Sequence, residues 1–475
     1  MILVIQENRT PDNLFLSLLT YPGINPVRYD LASSGLALVN GEDQVIPLTP
    51  RSLSTDYDLE HSHDAFMDMW NKGKMDGANL VPDNCNRDAV DCQNGGQGQF
   101  LSYKYVQASD IDPYLQLASQ YGWANYMFQT NQGPSFVAHQ ILFAGTSART
   151  EEDDANGVFV EGNPGQPKGD QYYGMRDSGC LAPLGEVNAF ISPESAPDTY
   201  LFLNDPIGSF CFDHDSMADL LDAGQLSWKY YVVGQTGNPY PNDPTMQGYN
   251  PAGFMFSAPS SIYNICLPDY SQEVPVCTSP EFVTNIDLNP HDILSDIAHC
   301  NLASEAWVTP TANEADHAGS KKDIGGPSWV AAIVNAVGND KTCEQGAGYW
   351  SDTVILVTWD DWGGWYDHVP PPILPGPQGD YELGFRVPLL VISAYTQPGY
   401  VSNFRHDFGS IVRFMQGIFG IPEGSLGFSD ARTTDDLSNF FNFNIAPRPF
   451  QTIQAKWGAK HFLDEAVSPE PPDDY

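Results

Sequence analysis

Residues 352–372 read DTVILVTWDDWGGWYDHVPPP. The opening DTVILVTW (352–359) is a short β-branched apolar run, which predicts a strand buried on both faces. Asp360 and Asp361 follow at once, then a Gly-Gly turn, then Asp367 and His368. In open α/β sheets ligands bind beyond the carboxyl ends of the strands, so acids placed directly after such a run are candidates for chemistry. The start of the chain has the same form. ILVIQ (2–6) reads as a strand and is followed by Glu7, Asn8 and Arg9. Thr10 and Pro11 then supply an N-cap and a proline at the first helical position.

Outward from these two stretches, strand-like and helix-like segments alternate. HSHDAFMDMWNKG (61–73), PYLQLASQYG (113–122), Ser135 to about Phe143, SMADLLDAG (216–224), WVAAIVNAV (329–337) and DFGSIVRFMQGIFG (407–420) read as helices. WANYMF (123–128), SWKYYVV (227–233) and VPLLVIS (387–393) read as strands. This alternation predicts an α/β fold, a largely parallel central sheet flanked by helices. Residues 1–450 are expected to form one catalytic domain. The Gly-, Asn-, Asp- and Pro-rich stretches at about 146–210 and 234–290 are expected to be loop insertions over a site, and 451–475 a partly disordered extension.

Composition narrows the function classes. The 475 residues are 41% hydrophobic and only 17% charged, with a formal net charge of −39. Such a surface repels nucleic acid and anionic membranes, so no nucleic-acid partner is expected. No apolar run reaches the roughly 18 residues of a membrane span. The eight cysteines contain no CxxC pair, which points to disulfides in an oxidising compartment rather than a zinc ribbon. Nearest-neighbour pairing is expected: Cys85–Cys92, Cys180–Cys211, Cys266–Cys277 and Cys300–Cys343. Secreted or periplasmic localisation is expected, with no signal peptide visible in this sequence. Nothing here speaks to oligomeric state.

Three acids and an asparagine at strand ends (Glu7, Asn8, Asp360, Asp361) would offer hard oxygen ligands to a divalent cation. Calcium, magnesium or manganese is favoured, with zinc or iron suited if a histidine joins. In NQGPSFVAHQ (131–140) the Gly-Pro turn sets Ser135 at a helix N-terminus, where amide groups and the helix dipole favour an anion such as phosphate. Taken singly, each acid also fits a helix cap or a solvated loop, and Ser135 a plain N-cap. His61, His63, His317 (in NEADHAG, 313–319) and His368 add loop-borne imidazoles near these candidates. There is no GxSxG elbow, no P-loop and no C/S-x-P-x-R element, which weakens esterase, nucleotide-binding and sulfatase readings. DDANG (153–157) lacks the closing Glu of a calcium loop.

Read together, QENRTPDNLF (6–15), NQGPSFVAHQ, NEADHAG and TWDDWGGWYDHVPPP (358–372) resemble the bacterial phosphoesterase family that contains phospholipases C and acid phosphatases, whose fold is similar to alkaline phosphatase. DLLDAGQLSWKYY (219–231) and FRVPLLVIS (385–393) support the match, and the segments occur in family order. The resemblance implies that Glu7, Asn8, Asp360, Asp361 and Ser135 bind a metal and that Ser135 is the nucleophile. It implies that His61, His317 and His368 contact phosphate or shuttle protons. Two departures matter. The family's Asp-Glu is Asp360-Asp361 here. The Pro-Asn-Arg that follows the nucleophile in many phospholipases is absent, so His139, with His63, is expected to bind substrate instead. The implied activity is hydrolysis of a phosphomonoester, or alternatively of a phospholipid as a phospholipase C. A secreted binding protein that has lost catalysis is the distant alternative.

Overall fold

The computed structural model describes residues 1–55, 57–83, 100–162, 166–168, 171–173, 179–181, 188–192, 199–201, 211–234, 254–271, 276–319, 325–375, 380–468 and 472. Its centre is an eight-stranded sheet: β1 (Ile2–Gln6), β2 (Gly122–Phe128), β3 (Trp228–Tyr231), β4 (Ile286–Asp287), β5 (Glu305–Val308), β6 (Val354–Trp359), β7 (Leu389–Ser393) and β8 (Tyr400–Asp407). The spatial order is β4-β3-β5-β1-β6-β7-β2-β8. Every neighbouring pair is parallel except those made by β7, which runs antiparallel to β6 and to β2. The expected largely parallel α/β sheet is therefore present.

The flanking helices used below are α1 (Pro11–Phe15), α2 (His63–Trp70), α3 (Ala108–Gln120), α4 (Ser135–Ala144), α5 (Gly326–Asn339) and α6 (Phe408–Ile418). Side chains alternate across a sheet. Leu3 pairs with Trp307 and Leu356, while Gln6 pairs with Trp359, so Trp307 and Trp359 face opposite sides. Phe143 of α4 packs on Trp228, Tyr230 and Trp307. Tyr114 of α3 packs on Trp359, as does Phe15 of α1. Helices thus cover both faces, with α6 beside α4 and α5 beside α3. This double cover explains why β1 is buried at all five positions and reads as an apolar run over Ile2–Ile5.

Three of the four expected disulfides are formed: Cys180–Cys211, Cys266–Cys277 and Cys300–Cys343. Cys85 and Cys92 lie outside the described residues. Within 146–210, the strands Phe159–Gly162, Asn188–Ile191 and Thr199–Leu201 form a small antiparallel sheet. Its Ile191 fills the space beside Gly133, where a Cβ would lie 1.9 Å from Ile191 Cδ1. The DDANG stretch contributes to the short helix Glu151–Ala155, whose Asp154 binds Thr146 and Arg432. The C-terminal extension packs against the domain at two points. Ile453 is buried, and Phe462 packs against Trp329 and His291. Among the described residues no helix is long and apolar enough to cross a membrane.

Candidate active site

The parallel register of β1 and β6 sets Gln6 beside Trp359, so Glu7 and Asp360 emerge side by side at the carboxyl ends of two adjacent strands. The turns that follow are stitched together. Asp360 N donates to Gln6 O, and Arg9 N donates to Asp361 O, both at 2.9 Å. Asn8 adopts φ 60°, a left-handed conformation that asparagine tolerates. Its backbone N–H donates to Asp360 Oδ1 at 3.0 Å, which also accepts from Asp361 N at 2.7 Å. One carboxylate oxygen of Asp360 is thus occupied by the turn, and the other, Oδ2, faces inward. Asp361 divides its oxygens in the same way: Oδ1 accepts from Gly363 N at 2.7 Å, and Oδ2 accepts from Ser135 Oγ at 3.2 Å. Burial, and then the charge of Asp360, push the Asp361 carboxyl up to about 8.

The Gly-Gly pair makes this turn possible. Gly363 has φ 60°, and a Cβ there would lie 2.4 Å from the Asn8 carbonyl oxygen, a backbone atom that cannot move aside. Gly363→Ala is expected to cost at least about 2 kcal/mol through strain and collision. A denaturation midpoint unchanged from wild type would contradict this.

Helix α4 brings the third component. Its N-cap is Pro134, and Ser135 is the first helical residue, so the Ser135 hydroxyl is not consumed as a cap. Ser135 and His139 stand four residues apart and so share a helix face. His139 Nε2 lies 3.7 Å from Glu7 Oε1 and 3.9 Å from Asp360 Oδ2. Glu7, His139 and Asp360 each present one ligand atom, all within 4.8 Å of one another and all buried. Burial pushes the His139 imidazole down to about 4, so the ring is neutral. Asn8 Oδ1, His139 Nε2 and Asp360 Oδ2 are buried and lack a hydrogen-bond partner among the described residues. Such a set of inward oxygen and nitrogen donors fits a divalent cation.

The other histidines divide. His61 joins the group: Nδ1 donates to Leu59 O at 2.9 Å, so Nε2 accepts from Asn8 Nδ2 at 3.2 Å, and Nε2 lies 4.0 Å from Asp361 Oδ2. His317 stands edge-on to His61, ring centroids 5.9 Å apart. His63 Nε2 meets Gln132 Oε1 at 3.2 Å, which ties it to the loop before Ser135. His368 is not brought to this group. Its Nδ1 meets Asp12 Oδ2 at 2.7 Å and its Nε2 meets Asp30 Oδ1 at 3.2 Å, beside the fully buried Arg386 and Asp367. Asp12, Asp367 and His368 also cluster closely, but Arg386 already neutralises them.

Two carboxylates facing both ring nitrogens make His368 a cation. Burial alone would lower its pKa, but hydrogen bonding to Asp12 and the charges of Asp12 and Asp367 carry it up to about 9. A folded value above the ordinary 6.5 gives stability that is fully present below pH ~6.5 and lost as pH rises through ~9. Wild-type protein should therefore lose thermal stability more steeply between pH 6.5 and 9.5 than His368→Gln. Parallel curves for the two proteins would refute this.

Neighbouring residues outside the expected set also shape the centre. Tyr230 and Phe256 stand behind His139: Tyr230 Oη donates to Phe256 O at 2.7 Å, and the Phe256 ring meets the imidazole edge-on at 5.3 Å. Tyr230 shows in sequence only as one aromatic of a strand, with no local signal of its partner. A Ser–His–Asp chain also occurs, Ser402–His406–Asp435. Ser402 is fully buried and its Oγ accepts the Phe404 N–H, so this chain fastens the irregular strand β8.

Fold and centre together define an α/β protein with a buried acid–histidine site at the carboxyl ends of its central sheet. The chain belongs to the Phosphoesterase family, whose sequence model matches residues 1–422. Phospholipase C B of Mycobacterium tuberculosis is 28% identical over 180 residues, covering 34% of this chain and 33% of that protein. Non-hemolytic phospholipase C of Pseudomonas aeruginosa is 27% identical over 204 residues, covering 37% of this chain and 29% of that protein. The matched stretch thus spans about a third of the length of these relatives. A solved structure of a protein in the alkaline phosphatase superfamily from Vibrio parahaemolyticus shares 10% identity with a TM-score of 0.32, covering 88% of this chain and 76% of that one.

Proposed function

We propose that this protein hydrolyses small phosphate esters through a phosphoseryl intermediate on Ser135, in the manner of an acid phosphatase. The supporting observation is the Ser135 hydroxyl held on Asp361 Oδ2 beside the buried Glu7–His139–Asp360 group. Glu7, Asn8, Asp360, Asp361 and Ser135 would hold a divalent cation. When bound, the cation supplies charge neutralisation and Lewis-acid polarisation. With Asp361 kept ionised by a bound cation, Ser135 Oγ attacks phosphorus and yields its proton to that carboxylate as the Oγ–P bond forms and the bond to the leaving alcohol breaks. The amide groups that open α4 face the transferring group and stabilise its charge. His61 and His317 flank the centre, and one of them protonates the departing oxygen. Water then cleaves the seryl ester and restores the hydroxyl.

A phospholipase C-type diesterase is the second reading, favoured by the names of the relatives. In the aromatic-rich stretch GFMFSAP (253–259), Met255 and Phe256 are buried, Phe256 behind His139, so these two do not line an apolar mouth. Another such stretch, YLFLND (200–205), lies outside the described residues beyond Leu201. The disulfides support an extracytoplasmic location. The reading is tested by rates on p-nitrophenyl phosphate and on dihexanoylphosphatidylcholine, before chelation, after it, and after return of divalent ions. Monoester turnover that falls on chelation and recovers supports the first reading, and faster turnover of the lipid supports the second. Failure of both substrates under every condition would refute both.

A further inference from the structure

We propose that Tyr230 is a positioning residue that presents His139 as a nitrogen donor beside Glu7 and Asp360, making this centre selective for zinc or iron(II) over calcium and magnesium. The inference rests on the reading of this centre as a cation site.

The argument begins with a proton count. Tyr230 Oη carries one hydrogen and gives it to the Phe256 carbonyl at 2.7 Å. Toward His139 Nδ1, 3.4 Å away, the same oxygen can only accept. Nδ1 therefore carries the imidazole proton, and Nε2 carries the lone pair. That lone pair faces Glu7 Oε1 and Asp360 Oδ2. Three electron-rich atoms converge with no hydrogen-bond partner for Nε2 or for Asp360 Oδ2 among the described residues. A cation shared among them relieves that repulsion. Had Tyr230 donated to the ring instead, Nε2 would bear the hydrogen and point it at the carboxylates, and no nitrogen ligand would exist.

The rest of the setting holds the ring in place. Tyr230 is on β3 and fully buried, Phe256 closes over the imidazole edge-on, and His139 is itself fully buried on α4. A second hydrogen bond that fixes the tautomer of a ligating histidine is the usual way a protein tunes an imidazole donor. The oxygen ligands taken alone favour calcium, magnesium or manganese. An imidazole nitrogen shifts preference toward zinc and iron, because calcium and magnesium bind nitrogen poorly.

The test is metal competition on the whole protein, read by metal content after dialysis against equal free concentrations of zinc, iron(II), calcium and magnesium under anaerobic conditions. Wild type should retain zinc or iron(II) at least 100-fold more tightly than calcium or magnesium. Tyr230→Phe should weaken zinc and iron(II) binding 10- to 100-fold and leave the calcium and magnesium affinities within twofold. His139→Gln should abolish the preference. X-ray absorption at the bound metal should show imidazole scattering in wild type and lose it in His139→Gln. Tyr230→Phe binding zinc and iron(II) as wild type does, or losing all four ions alike, would overturn the inference. If wild type binds calcium as tightly as zinc and needs it for activity, this inference falls while the cation reading stands. If wild type binds no divalent ion, both fall.

Discussion

Ser135→Ala is expected to lower kcat by at least about 10³-fold with the fold retained. The size follows from the role. On the proposed mechanism no covalent intermediate can form without Oγ, and what would remain is the stabilisation that the surrounding donors give to direct attack by water, commonly about 10³–10⁴-fold above the uncatalysed rate. Structural damage is expected to be small, because among the described residues Oγ makes one hydrogen bond, to Asp361 Oδ2, and is not the cap of α4. Loss of that bond removes about 1 kcal/mol of stability. Thermal melting and metal analysis alongside the kinetics separate the two effects. Activity within tenfold of wild type would remove Ser135 as nucleophile, whatever happens to stability.

Much of the scaffold of this centre was legible because it is written in short local patterns. ILVIQ and VILVTW are rich in β-branched residues and buried on both faces, and each is followed at once by acids. Their adjacency follows from parallel pairing, which places Glu7 and Asp360 at one level. The N-cap of α1 was also readable, as Thr10 followed by Pro11, and Thr10 Oγ1 accepts from Asn13 N. Three further strands of the central sheet carry no legible sequence signal, for physical reasons. Glu305–Val308 and Ile286–Asp287 are too short to show a period, and Tyr400–Asp407 is polar, with a register shift between Ser402 and Arg405. The direction of β7 was not legible either, since an apolar run looks the same read in either sense.

Assignments within the centre were harder to reach from sequence, because side-chain partnership depends on three-dimensional neighbours. His368 sits seven residues after Asp361, yet the Gly363–Gly364 turn carries the chain away and delivers it to Asp12 and Asp30. The sequence pattern points His139 toward substrate. It shares a helix face with Ser135 as that spacing requires, but its Nε2 lies against Glu7 and Asp360. Tyr230, ninety-one residues away in sequence, is what decides which nitrogen His139 offers.

Arg386→Met should destabilise the protein by about 3–5 kcal/mol while leaving kcat per folded molecule within about threefold. The guanidinium is fully buried and holds Asp367 by two hydrogen bonds, Nε to Oδ1 at 2.8 Å and Nη2 to Oδ2 at 3.0 Å. Nη1 donates to the carbonyls of Asp30 and Asn125, and Asp12 Oδ1 lies 3.7 Å from Nη2. Methionine replaces most of the volume but none of the charge, so Asp367 and Asp12 are left buried with only His368 to answer them. Burial already pushes the Asp367 carboxyl up against the lowering effect of Arg386. Without that arginine the folded value rises further above the unfolded one, so the variant's deficit should grow as pH climbs past about 4 and shrink toward acid, where Asp367 takes up a proton. Adding Asp367→Asn to Arg386→Met should recover a large part of the loss, because the orphaned charge is gone. Urea denaturation of the two variants at pH 5 and pH 8 reads both effects. A deficit that is the same at both pH values and untouched by Asp367→Asn would mean that lost packing, not an unpaired buried carboxylate, is the cause.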